Sequence, residues 1–381
     1  MKKILFVTSK HPFASDSKDG GDATVSEFIR ALGAHCQLDI LCFRECDSNV
    51  KIPLVHKNFF QNMDFANYDF YSKENGEKFL VRLKQADVSA KKIISLSENY
   101  DIIIVQHCMF ILKLADFSIS VFQKIILLPM FTGIEYLRSQ EHVPPEYILA
   151  EKIALGHVQK IITPSNAERE ILISDYKISP EKIFVIPRSV TAVDVKIPRS
   201  CNEKLQLVYI ASVRRQKAHL EAMELFARIN EIIPNAQFHC VGTIQDKNLF
   251  GECVKFLQAR NLANDVFFHG TLSRKEIHHL LSLCDVNISV SFWESFGRSI
   301  FEGMAMGLPT VVLERILSVA DIPETVRPLT ASCLEEMVTI ILNLYTDEKF
   351  FRAQSLKSRF IRECLAFERI QRNLRNTILL N

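Results

Sequence analysis

The chain has 381 residues, of which 48% are hydrophobic and 24% are charged, and its formal net charge is +2. This length predicts two globular domains of roughly 150–200 residues each. The small net charge argues against nucleic acid as a partner, and no apolar run reaches the roughly 20 residues needed to cross a bilayer.

Strand-like and helix-like segments alternate through the first half of the chain. The start runs directly into an apolar segment and lacks the features of a signal peptide, which predicts a cytoplasmic location. The predicted strands are 3–9, 38–43, 101–107, 124–130, 160–165 and 182–187. The predicted helices are 24–35, 77–96, 145–158 and 166–176, the last of them capped by Asn166. This alternation is typical of a doubly wound parallel sheet.

Two segments interrupt the alternation. Residues 44–75 have no clear period and are interpreted as an irregular excursion, whereas the polar residues 188–204 predict a linker. Strands and helices then alternate again, and the tail from about residue 346 has helical periodicity throughout. We therefore expect an α/β protein with two Rossmann-like domains and C-terminal helices, at 1–195, 196–345 and 346–381.

A basic loop follows the first predicted strand of the second half. Arg214, Arg215, Lys217 and His219 lie in this loop and in the first turn of the next helix. The N-terminal end of a helix is unfavourable for cations unless an anion binds there. The loop therefore predicts a phosphate site, and the alternative is a solvated basic turn.

A second polar stretch, ESFGRSIFEGMAMGLPT, occupies residues 294–310. Residues 295–298 are predicted to form the first turn of a helix, where Gly297 lets a ligand approach the backbone and free N–H groups suit a phosphate. Arg298 is a further cation at this helix start. Glu294 and Glu302 are better suited to accepting hydrogen bonds from hydroxyl groups. A ligand that carries both phosphates and hydroxyls, such as a sugar nucleotide, fits the whole stretch.

A third loop, at 9–25, contains Gly20-Gly21 and leads into a helix. Asp22 and Thr24 mark the predicted helix start, and Glu27 completes a capping box with Thr24. The loop predicts a phosphate or acceptor site, with a flexible turn as the alternative. The chain contains neither G-x-G-x-x-G nor a Walker A motif, which argues against NAD enzymes and P-loop NTPases. Its ten cysteines include no C-x-x-C pair, which favours buried thiols over a metal site or disulfides.

The stretch SFWESFGRSIFEGMAMGLPTVV (291–312) resembles the E-x7-E region of retaining glycosyltransferases of family 4. DGGDATVSEFIRAL (19–32) and VYIASVRRQKAHLEAMELFARI (208–229) resemble the glycine-rich and basic loops of the same family. The resemblance implies the GT-B fold, in which two Rossmann-like domains face each other across a cleft and a C-terminal helix crosses back to the N-terminal domain.

The resemblance also implies roles for individual residues. Lys217, with Arg214 or Arg215, would neutralise the leaving diphosphate, and Glu294 would contact hydroxyls of the donor sugar. The remaining binding residues would hold the phosphates, the ribose, the base or the acceptor: Ser295, Phe296, Gly297 and Arg298 for the phosphates, Glu302 for the ribose, Leu272 for the base, and Gly21 for phosphate or acceptor.

The implied activity is sugar transfer from a nucleoside-diphosphate sugar, UDP- or GDP-linked, to a glycan, lipid-linked or protein acceptor with retention of configuration. No metal and no cofactor are expected. Ser212 stands where the family usually has an arginine, and residues 130–135 lack the family's histidine. These departures leave open a non-catalytic glycan-binding partner or stabiliser of a true transferase. A separate alternative is another GT-B enzyme, such as an epimerase or an inverting transferase. The basic helix at 77–96 predicts either a solvated face or peripheral contact with the inner face of the cell membrane.

Overall fold

In a computed structural model, the chain forms two compact units, Met1–Arg188 with Glu368–Asn381, and Ser189–Phe367. The structure describes residues 1–9, 20–43, 59–61, 77–190 and 204–380. The predicted domain boundary at 195/196 therefore lies outside the described residues. So does the predicted excursion at 44–75, apart from 59–61.

The first unit contains a parallel sheet of seven strands in the order β3-β2-β1-β4-β5-β6-β7. The strands are β1 (Lys3–Thr8), β2 (Gln37–Cys42), β3 (Phe59–Gln61), β4 (Ile102–Gln106), β5 (Ile125–Leu128), β6 (Lys160–Thr163) and β7 (Ile183–Val185). The central strands are buried on both faces, as expected for continuous apolar runs. The predicted doubly wound sheet is therefore confirmed.

The helices of this unit are α1 (Gly20–Leu32), α2 (Glu77–Ser97), α3 (Gly133–Arg138), α4 (Pro145–His157) and α5 (Asn166–Ser174). Two predicted caps are wrong. Gly20 is already helical, so Asp22 and Thr24 lie inside α1 rather than at its start. The predicted cap Asn166 is already the first residue of α5. Ser165 caps this helix instead by accepting a hydrogen bond from the Glu168 amide over 3.2 Å, because a serine directly before the first helical residue satisfies a free N–H group.

The predicted basic face of α2 is partly buried. Lys78 pairs with Glu141, and Arg82 donates hydrogen bonds to the hydroxyls of Tyr136 and Tyr147 over 3.2 and 3.3 Å. Two of its cations therefore bind groups inside the unit. Contact of this helix with a membrane remains a prediction. In the described ranges, no helix is both long and apolar enough to span a bilayer.

The second unit contains a parallel sheet of six strands in the order β10-β9-β8-β11-β12-β13. Its strands are β8 (Gln206–Ile210), β9 (Gln237–Val241), β10 (Val266–Phe268), β11 (Val286–Ser289), β12 (Thr310–Leu313) and β13 (Leu329–Ala331). The strand order reverses between β8 and β11. Loops that follow these two strands emerge side by side, which is where open α/β sheets bind ligands.

The helices of the second unit are α6 (His219–Ile232), α7 (Lys247–Ala259), α8 (Arg274–Leu283), α9 (Arg298–Ala305), α10 (Leu334–Thr346), α11 (Glu348–Arg359) and α12 (Ile361–Cys364). The last α-helix, α13 (Phe367–Arg375), lies almost entirely in the first unit, where Ile370 and Leu374 pack in the same core as Ile4 and Phe6. The predicted C-terminal segment 346–381 is thus divided between the units.

Candidate functional site

The loops after β8 and β11 start next to each other at one edge of the second sheet. Leu207 and Val208 of β8 pair with Val286 and Asn287 of β11. The loop after β8 contains a short 3-10 turn, Arg215–Lys217. The loop after β11 runs from Val290 to Gly297, so two loops predicted separately from the sequence form one site.

Lys217 and Glu294 form an ion pair at the centre of this site. The Lys217 Nζ atom lies 2.6 Å from Glu294 Oε1, and the two side chains are only 14% and 11% exposed. Burial lowers the pKa of Lys217, and the nearby Glu294 charge opposes this effect. Lys217 is therefore a cation held with little water around it, where its charge acts strongly on any anion that binds.

Three polar side chains that the sequence analysis missed hold this pair in place. Ser291 Oγ donates to Glu294 Oε1 over 2.7 Å, and the Tyr209 hydroxyl lies 3.0 Å from Ser291 Oγ and 2.6 Å from the Lys217 carbonyl oxygen. Gln216 Nε2 donates to the Trp293 carbonyl over 2.7 Å. Gln216 and Ser291 lie one and three residues before Lys217 and Glu294 in the sequence, which could have indicated them. Tyr209 lies eight residues before Lys217, inside the apolar strand β8, and no sequence signal indicated it.

The four basic residues of the first loop have different environments. Arg214 is half-buried and its charge contributes to lowering the pKa of Lys217, whereas Arg215 is exposed. His219 is fully buried against the Tyr209 ring, with ring centroids 5.2 Å apart. Burial lowers the pKa of His219 to about 4, so the ring is neutral. The prediction of His219 as a fourth cation is therefore wrong.

The start of α9 differs from the prediction. The helix begins at Arg298, so Ser295 and Phe296 precede it instead of forming its first turn. Gly297 is the N-cap residue with φ +83°, a conformation that strains any residue with a Cβ atom. The Phe296 side chain is buried against Phe301, with ring centroids 4.9 Å apart, so only its backbone could serve a ligand.

The carboxylate of Glu302 in α9 is affected by the charges of two arginines. Burial raises the pKa of the half-buried Glu302, and the charges of Arg298 and Arg274 oppose that effect. Arg298 also donates to the Ser189 carbonyl over 3.2 Å. The sequence analysis assigned no role to Arg274, which follows the capping residue Ser273 at the start of α8.

Leu272 and Ser212 lie in the second unit, and Gly21 lies in the first. Leu272 is half-buried and lines a surface pocket of about 450 Å³ beside α8, together with His269 and His279. Gly21 lies in the first turn of α1 in the first unit. Ser212 Oγ accepts a hydrogen bond from Thr243 over 3.1 Å. The roles of these residues remain predictions.

The described cysteines are free thiols, most of them buried. Within the described part of the chain, no group of three histidine, cysteine or carboxylate side chains could hold a metal ion.

Residues 193–324 match the family model of the glycosyl transferases group 1. The chain is 28% identical over 193 residues to the uncharacterized glycosyltransferase YqgM of Bacillus subtilis (strain 168), which covers 49% of this chain and 52% of YqgM. The chain spans about half or less of the length of the curated relatives it matches.

Several solved structures are similar over nearly the whole chain. Sucrose-phosphate synthase from Thermosynechococcus elongatus has a TM-score of 0.75 at 17% identity, covering 99% of this chain and 98% of that chain. Anabaena Alr3699/HepE in complex with UDP-glucose has a TM-score of 0.72 at 15% identity, covering 100% of both chains. With its two parallel sheets and C-terminal helix, the chain has the GT-B fold, and its second unit carries the stretch that matches the glycosyl transferases of group 1.

Proposed function

We propose that this chain is a glycosyltransferase that moves a sugar from a nucleoside-diphosphate sugar to an acceptor hydroxyl with retention of configuration and without a metal ion. The observation that carries the proposal is the partly desolvated Lys217–Glu294 pair beside the start of α9, at the carboxyl ends of β8 and β11. One member of the pair suits a phosphate and the other suits a sugar hydroxyl.

The demanding step in such a transfer is departure of the diphosphate. As the bond between the anomeric carbon and the phosphate oxygen breaks, negative charge grows on that oxygen. Lys217 and Arg214, with the backbone amides at residues 295–298, would stabilise this charge because they are already oriented before the reaction. Glu294 would exchange its contact with Lys217 for contacts to the sugar when the donor binds.

Retention requires the acceptor to attack from the face that the diphosphate leaves. The acceptor oxygen forms the new bond to the anomeric carbon, and its proton passes to the departing phosphate oxygen. Glu294 orients the sugar and forms no covalent bond in this scheme.

The donor is proposed to be UDP- or GDP-linked. The structural similarity to HepE, which was solved with UDP-glucose, supports a UDP sugar as the first donor to test. The acceptor is a glycan, a lipid-linked sugar or a protein.

One observation favours a second candidate function, a non-catalytic partner that binds a glycan or stabilises a true transferase. Ser212 replaces the arginine that the family resemblance implies, and its hydroxyl is engaged with Thr243. If the chain is instead a transferase, Arg214 must supply the second cation in place of the missing arginine.

The test is metal-free binding and slow donor hydrolysis with a panel of UDP-, GDP-, TDP- and ADP-sugars. Wild type, Lys217→Ala, Glu294→Ala and the matched control Lys255→Ala, which removes an exposed lysine of α7, are compared. We expect the wild type and the control to use one donor selectively, and both site variants to lose roughly 100-fold or more in turnover. Full activity in both site variants would overturn the mechanism, and no binding of any sugar nucleotide would favour the non-catalytic partner.

A further inference from the structure

Arg315 has no role in the proposed chemistry, yet its side chain contacts the site loop at several points. It lies two residues after β12, and its side chain is 33% exposed. Its Nη2 atom donates to the Val290 carbonyl over 2.5 Å, and its Nε atom donates to the Ser291 carbonyl over 3.1 Å. Its guanidinium carbon lies 4.4 Å from the centroid of the Phe292 ring.

The same side chain also contacts the helix that follows the other site loop. Arg315 Nη2 lies 2.6 Å from Glu221 Oε2, and Nη1 lies 3.4 Å from Glu221 Oε1. Glu221 is in the first turn of α6, four residues after Lys217. Arg315 therefore joins the first turn of α6 to the backbone of residues 290–291.

Through Ser291, these contacts connect Arg315 to Glu294 of the ion pair. The Ser291 carbonyl accepts a hydrogen bond from Arg315, while the Ser291 hydroxyl donates to Glu294. A shift of residues 290–291 would thus move the group that orients Glu294. A shift of α6 relative to this loop would change the separation of Lys217 and Glu294.

Only arginine suits this set of contacts. Its planar guanidinium carries several donors in a fixed arrangement, so it can bind a carboxylate with two nitrogens and still reach two carbonyl oxygens. A lysine ammonium is a single point of charge and cannot make all these contacts from one position. Hydrogen bonds from a charged donor are also stronger than those between neutral groups.

We infer that Arg315 is a positioning residue that holds the backbones of the two site loops, which carry Lys217 and Glu294, in a fixed arrangement by joining α6 to the backbone of residues 290–291. Its effect on turnover rests on the proposed function, whereas its effect on the two loops does not. It acts through Ser291 and Glu221.

The test compares Arg315→Gln and Arg315→Lys with a matched control, Arg327→Gln. Arg327 lies in the same unit and also donates to two backbone carbonyls, those of Ile322 and Ala320, each over 2.6 Å. Hydrogen exchange of the peptide 288–296 is measured first. We expect Arg315→Gln to speed exchange there by about tenfold, the effect of losing roughly one charge-assisted hydrogen bond, and Arg327→Gln to leave it unchanged.

Turnover and nucleotide affinity are measured next, with the donor that the panel selects and its nucleoside diphosphate. We expect Arg315→Gln to lower kcat by about 10- to 100-fold, the range expected when reacting groups are displaced by about 1 Å. The Kd of the nucleoside diphosphate should change by less than about twofold relative to Arg327→Gln, because the loop that carries Lys217 and Arg214 keeps its own hydrogen bond to the Tyr209 hydroxyl. Arg315→Lys should recover part of the loss in kcat.

Each outcome decides between distinct conclusions. Unchanged exchange at 288–296 in Arg315→Gln would overturn the inference outright. Faster exchange with the kcat of the Arg327→Gln control would show a structural role alone and would also overturn it. If the wild type uses no sugar nucleotide, the proposed function fails, while the exchange result still decides whether Arg315 joins the two loops.

Discussion

Lys217 illustrates how a single residue obtains its properties from its surroundings. An exposed lysine has a pKa of about 10.4 and a charge that water screens. Burial lowers the pKa of Lys217, and Glu294 at 2.6 Å keeps the charged form favourable. The residue is thus a desolvated cation whose protonation is coupled to one carboxylate.

The lowered pKa of Lys217 leads to a prediction for activity against pH. As the pH rises, Lys217 loses its proton at a lower pH than an ordinary lysine. The kcat should therefore start to decrease at a lower pH than it would with a lysine of ordinary pKa. Lys217→Arg should lower kcat but move this limb to higher pH, because a guanidinium stays charged throughout the range. The measurement is kcat from pH 6 to 10 for the wild type, Lys217→Arg and the control Lys255→Arg. A basic limb at the same pH in all three proteins would contradict the assignment.

At the scale of elements, the site depends on how closely α9 packs on β11. A Cβ atom added to Gly303 of α9 would lie 2.4 Å from Asn287 Nδ2 of β11. That amide is buried and donates to the Ile300 carbonyl and to Thr310 Oγ1 over 3.3 and 3.4 Å. The glycine therefore brings the helix, and with it Glu302, close to the sheet.

Gly303→Ala should accordingly destabilise the protein by about 1–3 kcal/mol, because the extra methyl group overpacks a buried contact. The matched control is Gly251→Ala in α7, where an added Cβ atom would meet nothing within 4 Å. That substitution should stabilise the protein by about 0.5–1 kcal/mol through helix propensity. Both changes are measured as free energies of unfolding in urea, and similar values for the two variants would contradict the packing argument.

At the scale of the molecule, the first unit buries carboxyl groups in its interior. Glu151 Oε2 accepts hydrogen bonds from the Gly133 amide over 2.7 Å and from the Tyr176 hydroxyl over 2.5 Å. Burial raises the pKa of Glu151 to about 7, and burial also raises the pKa of Glu168 well above its usual value. The folded unit therefore binds protons that the unfolded chain releases at lower pH.

Linkage fixes the sign of the effect on stability. Glu151 has a pKa of about 7 in the folded protein, against an ordinary value of 4.5. The contribution of protonated Glu151 to the free energy of unfolding is therefore fully present below about pH 4.5 and is lost as the pH rises through 7. The loss amounts to roughly 3 kcal/mol. Glu151→Gln keeps an acceptor for Gly133 and Tyr176 but cannot ionise.

We therefore expect Glu151→Gln to lose less stability than the wild type between pH 5 and pH 8, measured by urea unfolding. Glu146→Gln, an exposed position in the first turn of α4, is the matched control and should follow the wild type. Equal losses in Glu151→Gln and in the wild type would show that Glu151 is not the group that titrates.

Much of the architecture could be predicted from the sequence because it reflects local periodicity. Buried parallel strands are continuous apolar runs, so all six strands predicted in the first half are present, as are the helices between them. Element ends were less predictable. Near Gly20 and Ser165, several polar residues could each have capped the helix, so the sequence did not identify the first helical residue. The helix α9 begins at Arg298 because Gly297 before it has a positive φ.

By itself, the sequence determined the alternation of strands and helices, the basic loop after β8 and the polar stretch at 294–310. It also indicated four candidate site residues, namely Lys217, Arg214, Glu294 and Glu302. Only the tertiary structure decided which side chains meet. Lys217 and Glu294 are 77 residues apart and come together because β8 and β11 are neighbours. It also decided that His219 is buried and neutral, and that Arg315 joins both site loops. Burial and contacts between distant residues depend on strand order and packing, which local periodicity does not encode.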